Sequence, residues 1–116
     1  MKTYLDMLDE VAQADVAGLR KAEESYKDSW KKRGGVGAFM MLARKWDRIE
    51  NQVQYGALYR LDDVVTRCVE PWDIFAHAEG DTRPEGIIDD IRDLRRYLML
   101  VEAEVLARKA NAASTV

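Results

Sequence analysis

The stretch Ile87-Ile88-Asp89-Asp90-Ile91-Arg92-Asp93-Leu94-Arg95-Arg96-Tyr97-Leu98-Met99-Leu100-Val101-Glu102-Ala103-Glu104-Val105 decides the fold class. Ile87, Ile91, Leu94, Leu98, Val101 and Val105 repeat in a four-three spacing, which puts one apolar seam along a long α-helix. A seam of this kind needs other helices, in an antiparallel bundle or across a dimer. Just before it, Thr82-Arg83-Pro84-Glu85 has a capping-box pattern, with proline tolerated in the first turn. Further upstream the spacing predicts a short helix from Pro71 to Ala78 and a longer one from Ala38 to Gln54. Tyr55-Gly56 bends or ends the latter before a further helical piece that reaches Cys68. The first helix runs from Tyr4 to Glu24, with Thr3 as its N-cap. Proline occurs only at 71 and 84, so long uninterrupted helices are expected. The expected fold is all-α, an antiparallel helical bundle of about four helices that dimerises. A single helical domain fills residues 1–110, and residues 111–116 form a frayed tail.

The chain has 116 residues, enough for one domain, of which 47% are hydrophobic and 34% charged. A net charge of −3 excludes the broad positive field that non-specific binding of nucleic acid or an anionic membrane requires. Cys68 is the only cysteine, so no internal disulfide forms, and no apolar run approaches membrane-spanning length. Met1-Lys2-Thr3 leads straight into an amphipathic pattern, and a cytoplasmic protein with no membrane partner is expected.

Two acidic pairs stand out, Asp47-x-x-Glu50 and Asp90-x-x-Asp93. With Trp46 at zero on a helical wheel, Phe39, Leu42, Ala43, Ile49 and Val53 fall within roughly 60°, and Glu50 falls among them. Trp46 then reads as a core anchor, and Glu50 as a carboxylate that needs a counter-charge, a proton or a metal. Asp15 is a second acid inside an apolar stripe, next to Gly18. Asp90, Asp93 and Tyr97 border the seam of the last helix, whereas Asp89, Arg92 and Arg96 lie opposite and read as solvated charge. If the second and last helices pack face to face, Glu50, Asp90 and Asp93 can hold a hard ion, Mg²⁺ first, with Asp47 and Glu50 placed to activate water. The competing reading neutralises these acids with Arg44, Arg48, Arg92 and Arg95 as salt bridges.

Residues 25–37 lose the helical period and combine Tyr26, Trp30, Lys31, Lys32 and Arg33 with three glycines. The reading is an ordered basic loop whose amides and cations suit a phosphate, with Lys45 adding charge and the aromatics stacking on a base. The lysines precede the glycines, so this is no Walker A motif. His77 has no triad partners near it and reads as a surface or helix-end residue, and Cys68 as an inert core residue.

Three segments resemble a known family: Glu24-Ser25-Tyr26-Lys27-Asp28-Ser29-Trp30, Lys45-Trp46-Asp47-Arg48-Ile49-Glu50-Asn51, and Asp89 to Tyr97. Together they look like the nucleotide modification associated domain 1 family, small helical proteins frequent in bacteriophages, with Lys27 where that family usually has glycine. A more distant similarity is to the all-α nucleotide pyrophosphatases of the MazG and dimeric dUTPase type. The resemblance implies a nucleotide or nucleoside phosphate as partner and a host-cytoplasmic setting. With the loop chemistry above, Tyr26, Asp28, Trp30, Lys31, Arg33, Lys45 and Tyr97 are the expected ligand-binding residues, and the more distant similarity implies a Mg²⁺-dependent pyrophosphohydrolase as one activity, with Asp47, Glu50, Asp90 and Asp93 at its metal-holding positions. A non-enzymatic nucleotide sponge and a helical interaction module are the alternatives.

Overall fold

The structure is a computed structural model that describes residues 1–60, 62 and 64–114; of Tyr26 and Ser114 it describes the backbone alone. Four α-helices carry most of the chain: α1 (Tyr4–Tyr26), α2 (Val36–Val53), α3 (Ile74–Gly80) and α4 (Ile87–Ser114). A 3-10 segment, Ser29–Gly35, joins α1 to α2, and two short antiparallel strands, β1 (Ala57–Arg60) and β2 (Thr66–Val69), lie between α2 and α3.

The start of α1 is the expected one. The Thr3 hydroxyl accepts from the Asp6 amide and the Asp6 carboxylate accepts from the Thr3 amide, which satisfies two otherwise unpaired donors. The helix ends where Lys27 and then Asp28 adopt left-handed backbone, with φ of 44° and 65°. Arg33, Gly34 and Gly35 are also left-handed, which swings the chain from the 3-10 segment into α2.

The helical piece expected between Gly56 and Cys68 is instead a hairpin, with Ala57 opposite Val69 and Tyr59 opposite Arg67. Asp62 organises its tip, its Oδ1 accepting from the Val64 and Val65 amides at 2.7 Å each. Cys68 is accordingly exposed rather than in the core. The short helix begins later than Pro71 because Trp72 is left-handed, with φ of 65°, and Asp73 takes the N-cap, accepting from the Ala76 amide at 3.1 Å. The box at Thr82-Glu85 does not form either. The Ile87 amide donates to Asp81 Oδ2 at 2.8 Å and the Gly86 amide to Asp89 Oδ2 at 3.0 Å, so α4 starts at Ile87. At its other end α4 runs on through Ser114, so residues 111–114, expected as a tail, are helical.

The core sits between α2 and α4. Ile49, Val53 and Ile87 are buried together, with Ile74, Ala78, Ile91 and Leu94 packed around them. The two helices run antiparallel, because Arg48 meets Asp90 while Lys45, almost a turn earlier, meets Asp93. The buried stripe of α2 is Ala38, Leu42, Ile49 and Val53, centred roughly 50° from Trp46 on the wheel. That rotation corrects two expectations: Trp46 is 48% exposed rather than a core anchor, and Glu50 is only half-buried.

Candidate functional site

Asp90, not Glu50, is the buried carboxylate at this packing surface, at 1% exposure. Its Oδ1 accepts from Arg48 Nε at 3.0 Å and lies 3.8 Å from Lys45 Nζ, which in turn sits 3.0 Å from Asp93. Asp90 Oδ2 is buried without a hydrogen-bond partner. Asp47 is exposed on the far side of α2. Among the described residues no three acidic, histidine or cysteine side chains gather as a metal shell. The expected set Glu50, Asp90 and Asp93 is therefore not gathered as a metal shell; of the arginines in the competing reading Arg48 neutralises Asp90, while Lys45 takes Asp93 and Arg92 and Arg95 pair with Asp89 and Asp15.

A second buried acid ties α1 to α4. Asp15, 1% exposed, accepts from Arg95 Nε at 2.5 Å, Arg95 Nη2 at 2.8 Å and Arg96 Nε at 2.9 Å, while Arg96 Nη2 donates to the Ala14 carbonyl at 3.0 Å. The Arg95 hydrogen bond, foremost, holds the Asp15 carboxyl below the ordinary carboxylate range. Gly18 leaves room for this clasp, since a Cβ there would stand 2.6 Å from Arg96 Nη1. Arg96 is thus no solvated surface charge.

Between α1, the 3-10 segment, α2 and α4 lies a cleft of about 310 Å³, near the lower end of the size range of small-molecule sites. α1 contributes Leu19, Ala22 and Glu23; the 3-10 segment contributes Ser29 and Trp30. Met41 and Lys45 come from α2, with Asp93, Arg96 and Tyr97 among the α4 residues. Four of the residues singled out from the sequence, Trp30, Lys45, Asp93 and Tyr97, thus line one cleft. The Trp30 indole N–H is shielded from solvent, and the Glu23 carboxyl with which it interacts lines the same cleft.

Beside the cleft, Glu23 and Asp28 share a carboxyl hydrogen bond. It raises the Glu23 carboxyl above its usual range and lowers that of Asp28. The Asp28 amide also donates to Glu23 Oε1. Lys31 bridges Asp28 at 3.6 Å and Glu104 at 3.1 Å, and its ammonium lies 5.7 Å from the Trp30 ring centroid. Arg33 is exposed and makes no ion pair among the described residues. The Tyr26 side chain lies outside what the structure describes.

His77, read as a surface residue, is fully buried. Its Nε2 lies 3.0 Å from the Glu70 carbonyl and its Nδ1 2.7 Å from the Tyr59 hydroxyl, which accepts from Gln52 Nε2 at 2.9 Å. A carbonyl can only accept, so Nε2 carries the proton and Tyr59 donates to Nδ1. This relay ties hairpin, α3 and α2 together, away from the cleft. Sequence reasoning missed Glu23, Arg96 and Gly18. The available signal was Asp15 in an apolar stripe with glycine nearby, which marks a close approach by a cation.

Among the described residues no helix is long and apolar enough to cross a membrane. No protein family, no curated protein and no solved structure matches the chain, so the family resemblance of its motifs stands on those motifs alone.

Proposed function

We propose that the chain binds a nucleotide or nucleoside phosphate in the cleft between α1, the 3-10 segment and α4, as a binder rather than a metal-dependent hydrolase. The observation that carries the reading is the lining of the cleft, where the Trp30 and Tyr97 rings stand with the cations Lys45 and Arg96. An aromatic base stacks on an aromatic ring such as Trp30, and a phosphate offers Lys45 a partner besides Asp93. Lys32 and Arg33, exposed in the 3-10 segment that supplies Trp30, add to the positive charge on this side of the chain. No metal step belongs to this reading, because Asp90 and Asp93 are already neutralised by Arg48 and Lys45. A homodimer is part of it, since the chain alone leaves a large apolar surface uncovered.

The test is a melting-temperature screen with nucleoside mono-, di- and triphosphates at millimolar concentration, with and without Mg²⁺. A ligand at a hundred times its dissociation constant adds about 2.7 kcal/mol, a rise of roughly 10 °C for a domain of this size. Trp30→Leu removes a stacking contribution of about 1–3 kcal/mol and weakens binding roughly tenfold or more. No shift with any nucleotide would sink the proposal, and pyrophosphate release that depends on Mg²⁺ would replace the binder by a hydrolase.

A further inference from the structure

We infer that the exposed face of α1 is a self-complementary surface on which a second copy of this chain docks with its own α1 antiparallel. The amphipathic half of α1 that precedes the Asp15 clasp has no cover. Leu5 and Val16, 60% and 43% exposed, lie within about 20° of each other on the helix, and Leu8 and Tyr4, 55% and 76% exposed, continue the apolar surface round towards the side of Asp15. Ala12, Gln13, Val16, Ala17 and Arg20 line a shallow groove along the Val16 side, and the two alanines let another backbone approach closely.

Surface area argues for a second copy. The chain exposes 9068 Å², whereas a compact monomer of its mass exposes about 6,500 Å². Its radius of gyration of 17.9 Å exceeds the roughly 13 Å of a compact chain of similar length. The surplus is well beyond the ~800 Å² per partner that a stable interface takes.

Charge argues for the direction. From Tyr4 to Ala14 the ionisable side chains of α1 are acidic apart from tyrosine (Asp6, Asp9, Glu10), and the two cations of the helix, Arg20 and Lys21, lie in its second half. Parallel pairing would stack the acidic halves on each other; antiparallel pairing sets Asp9 of each copy beside Arg20 of the other. With the two-fold axis beside residue 14, Ala12 of each copy meets Val16 of the other. Leu8 and Arg20 are then each about 9 Å from the axis by helical rise. Leu5 and Leu8 of the second copy come to rest over residues 19–23, of which Leu19, Ala22 and Glu23 line the cleft. The dimer itself does not rest on the nucleotide reading.

Sedimentation equilibrium of the full chain without any nucleotide tests it. The expected mass is twice 13.3 kDa at micromolar concentration. Val16→Glu, in the groove, returns it to a monomer with an unchanged far-UV circular dichroism spectrum, and Phe75→Glu, on the exposed hairpin side, leaves the dimer intact. A wild-type monomer at all concentrations overturns the inference, as does a dimer that survives Val16→Glu or is lost with Phe75→Glu. Failure of the nucleotide screen with the dimer intact overturns only the ligand reading.

Discussion

Replacing Asp15 by asparagine is the sharpest probe of how α1 is held. Asp15 is almost completely buried and receives three charge-assisted hydrogen bonds, at 2.5, 2.8 and 2.9 Å. Breaking a buried ion pair costs about 3–5 kcal/mol when the remaining charge has no escape. Here Arg95 and Arg96 keep 36% and 24% side-chain exposure and regain water, which puts the expected loss at the lower end, about 3 kcal/mol. In urea, with a slope of about 2 kcal/mol per molar, the midpoint falls by roughly 1.5 M at pH 7. The Asp15 carboxyl is held below its unfolded value, so its contribution is complete above that value, ~3.9. It is lost as pH falls further, through the folded value. The gap between wild type and Asp15→Asn should therefore stay constant from pH 7 to about pH 4 and close below it. A loss under ~0.5 kcal/mol at pH 7, the size of an ordinary surface substitution, would refute the idea that this clasp holds α1.

Three further outcomes follow from the packing around the hairpin and the clasp. Tyr59→Phe leaves Gln52 Nε2 and His77 Nδ1 without their partner and should lower urea stability by about 1–2 kcal/mol; an unchanged midpoint would deny the relay any structural role. Nitrogen-15 spectra of wild-type His77 should show the proton on Nε2, and a proton on Nδ1 alone would contradict the pairing with the Glu70 carbonyl. Gly80→Ala places a Cβ 2.4 Å from Tyr59 Cγ, at the ring's root rather than its tip, and should cost about 1–3 kcal/mol in thermal melts despite alanine's higher helix propensity.

The long elements were legible in the sequence because their signals repeat over several turns. Thr3 and Asp6 cap α1 as their types and spacing require, and the Ile87, Ile91 and Leu94 portion of the α4 seam does face the core. The hairpin was not legible, since four-residue strands show only two periods of alternation and Ala57-Leu58-Tyr59-Arg60 also suits a helix turn. The β-branched run Val64-Val65-Thr66 next to Asp62 was the available cue. The helical wheel of α2 erred by about 50° because it was centred on its largest apolar residue, Trp46, whereas burial follows the smaller residues that meet α4. That error moved the buried acid from Asp90 to Glu50. Of the candidate site, Trp30, Lys45 and Tyr97 were found by residue type. Arg96 was missed because its partner, Asp15, lies 81 positions away, beyond what periodicity within one helix can report.

That separation also orders events during synthesis. α1 leaves the ribosome well before its clasp, which comes from Arg95 and Arg96, 80 and 81 positions after Asp15. Local helix formation takes under about a microsecond, whereas translation adds only about 5–20 residues each second. The nascent protein therefore displays a capped amphipathic rod for seconds before its fastener is made. During that interval the apolar side of α1 is open to chaperones and to neighbouring nascent chains on the same message.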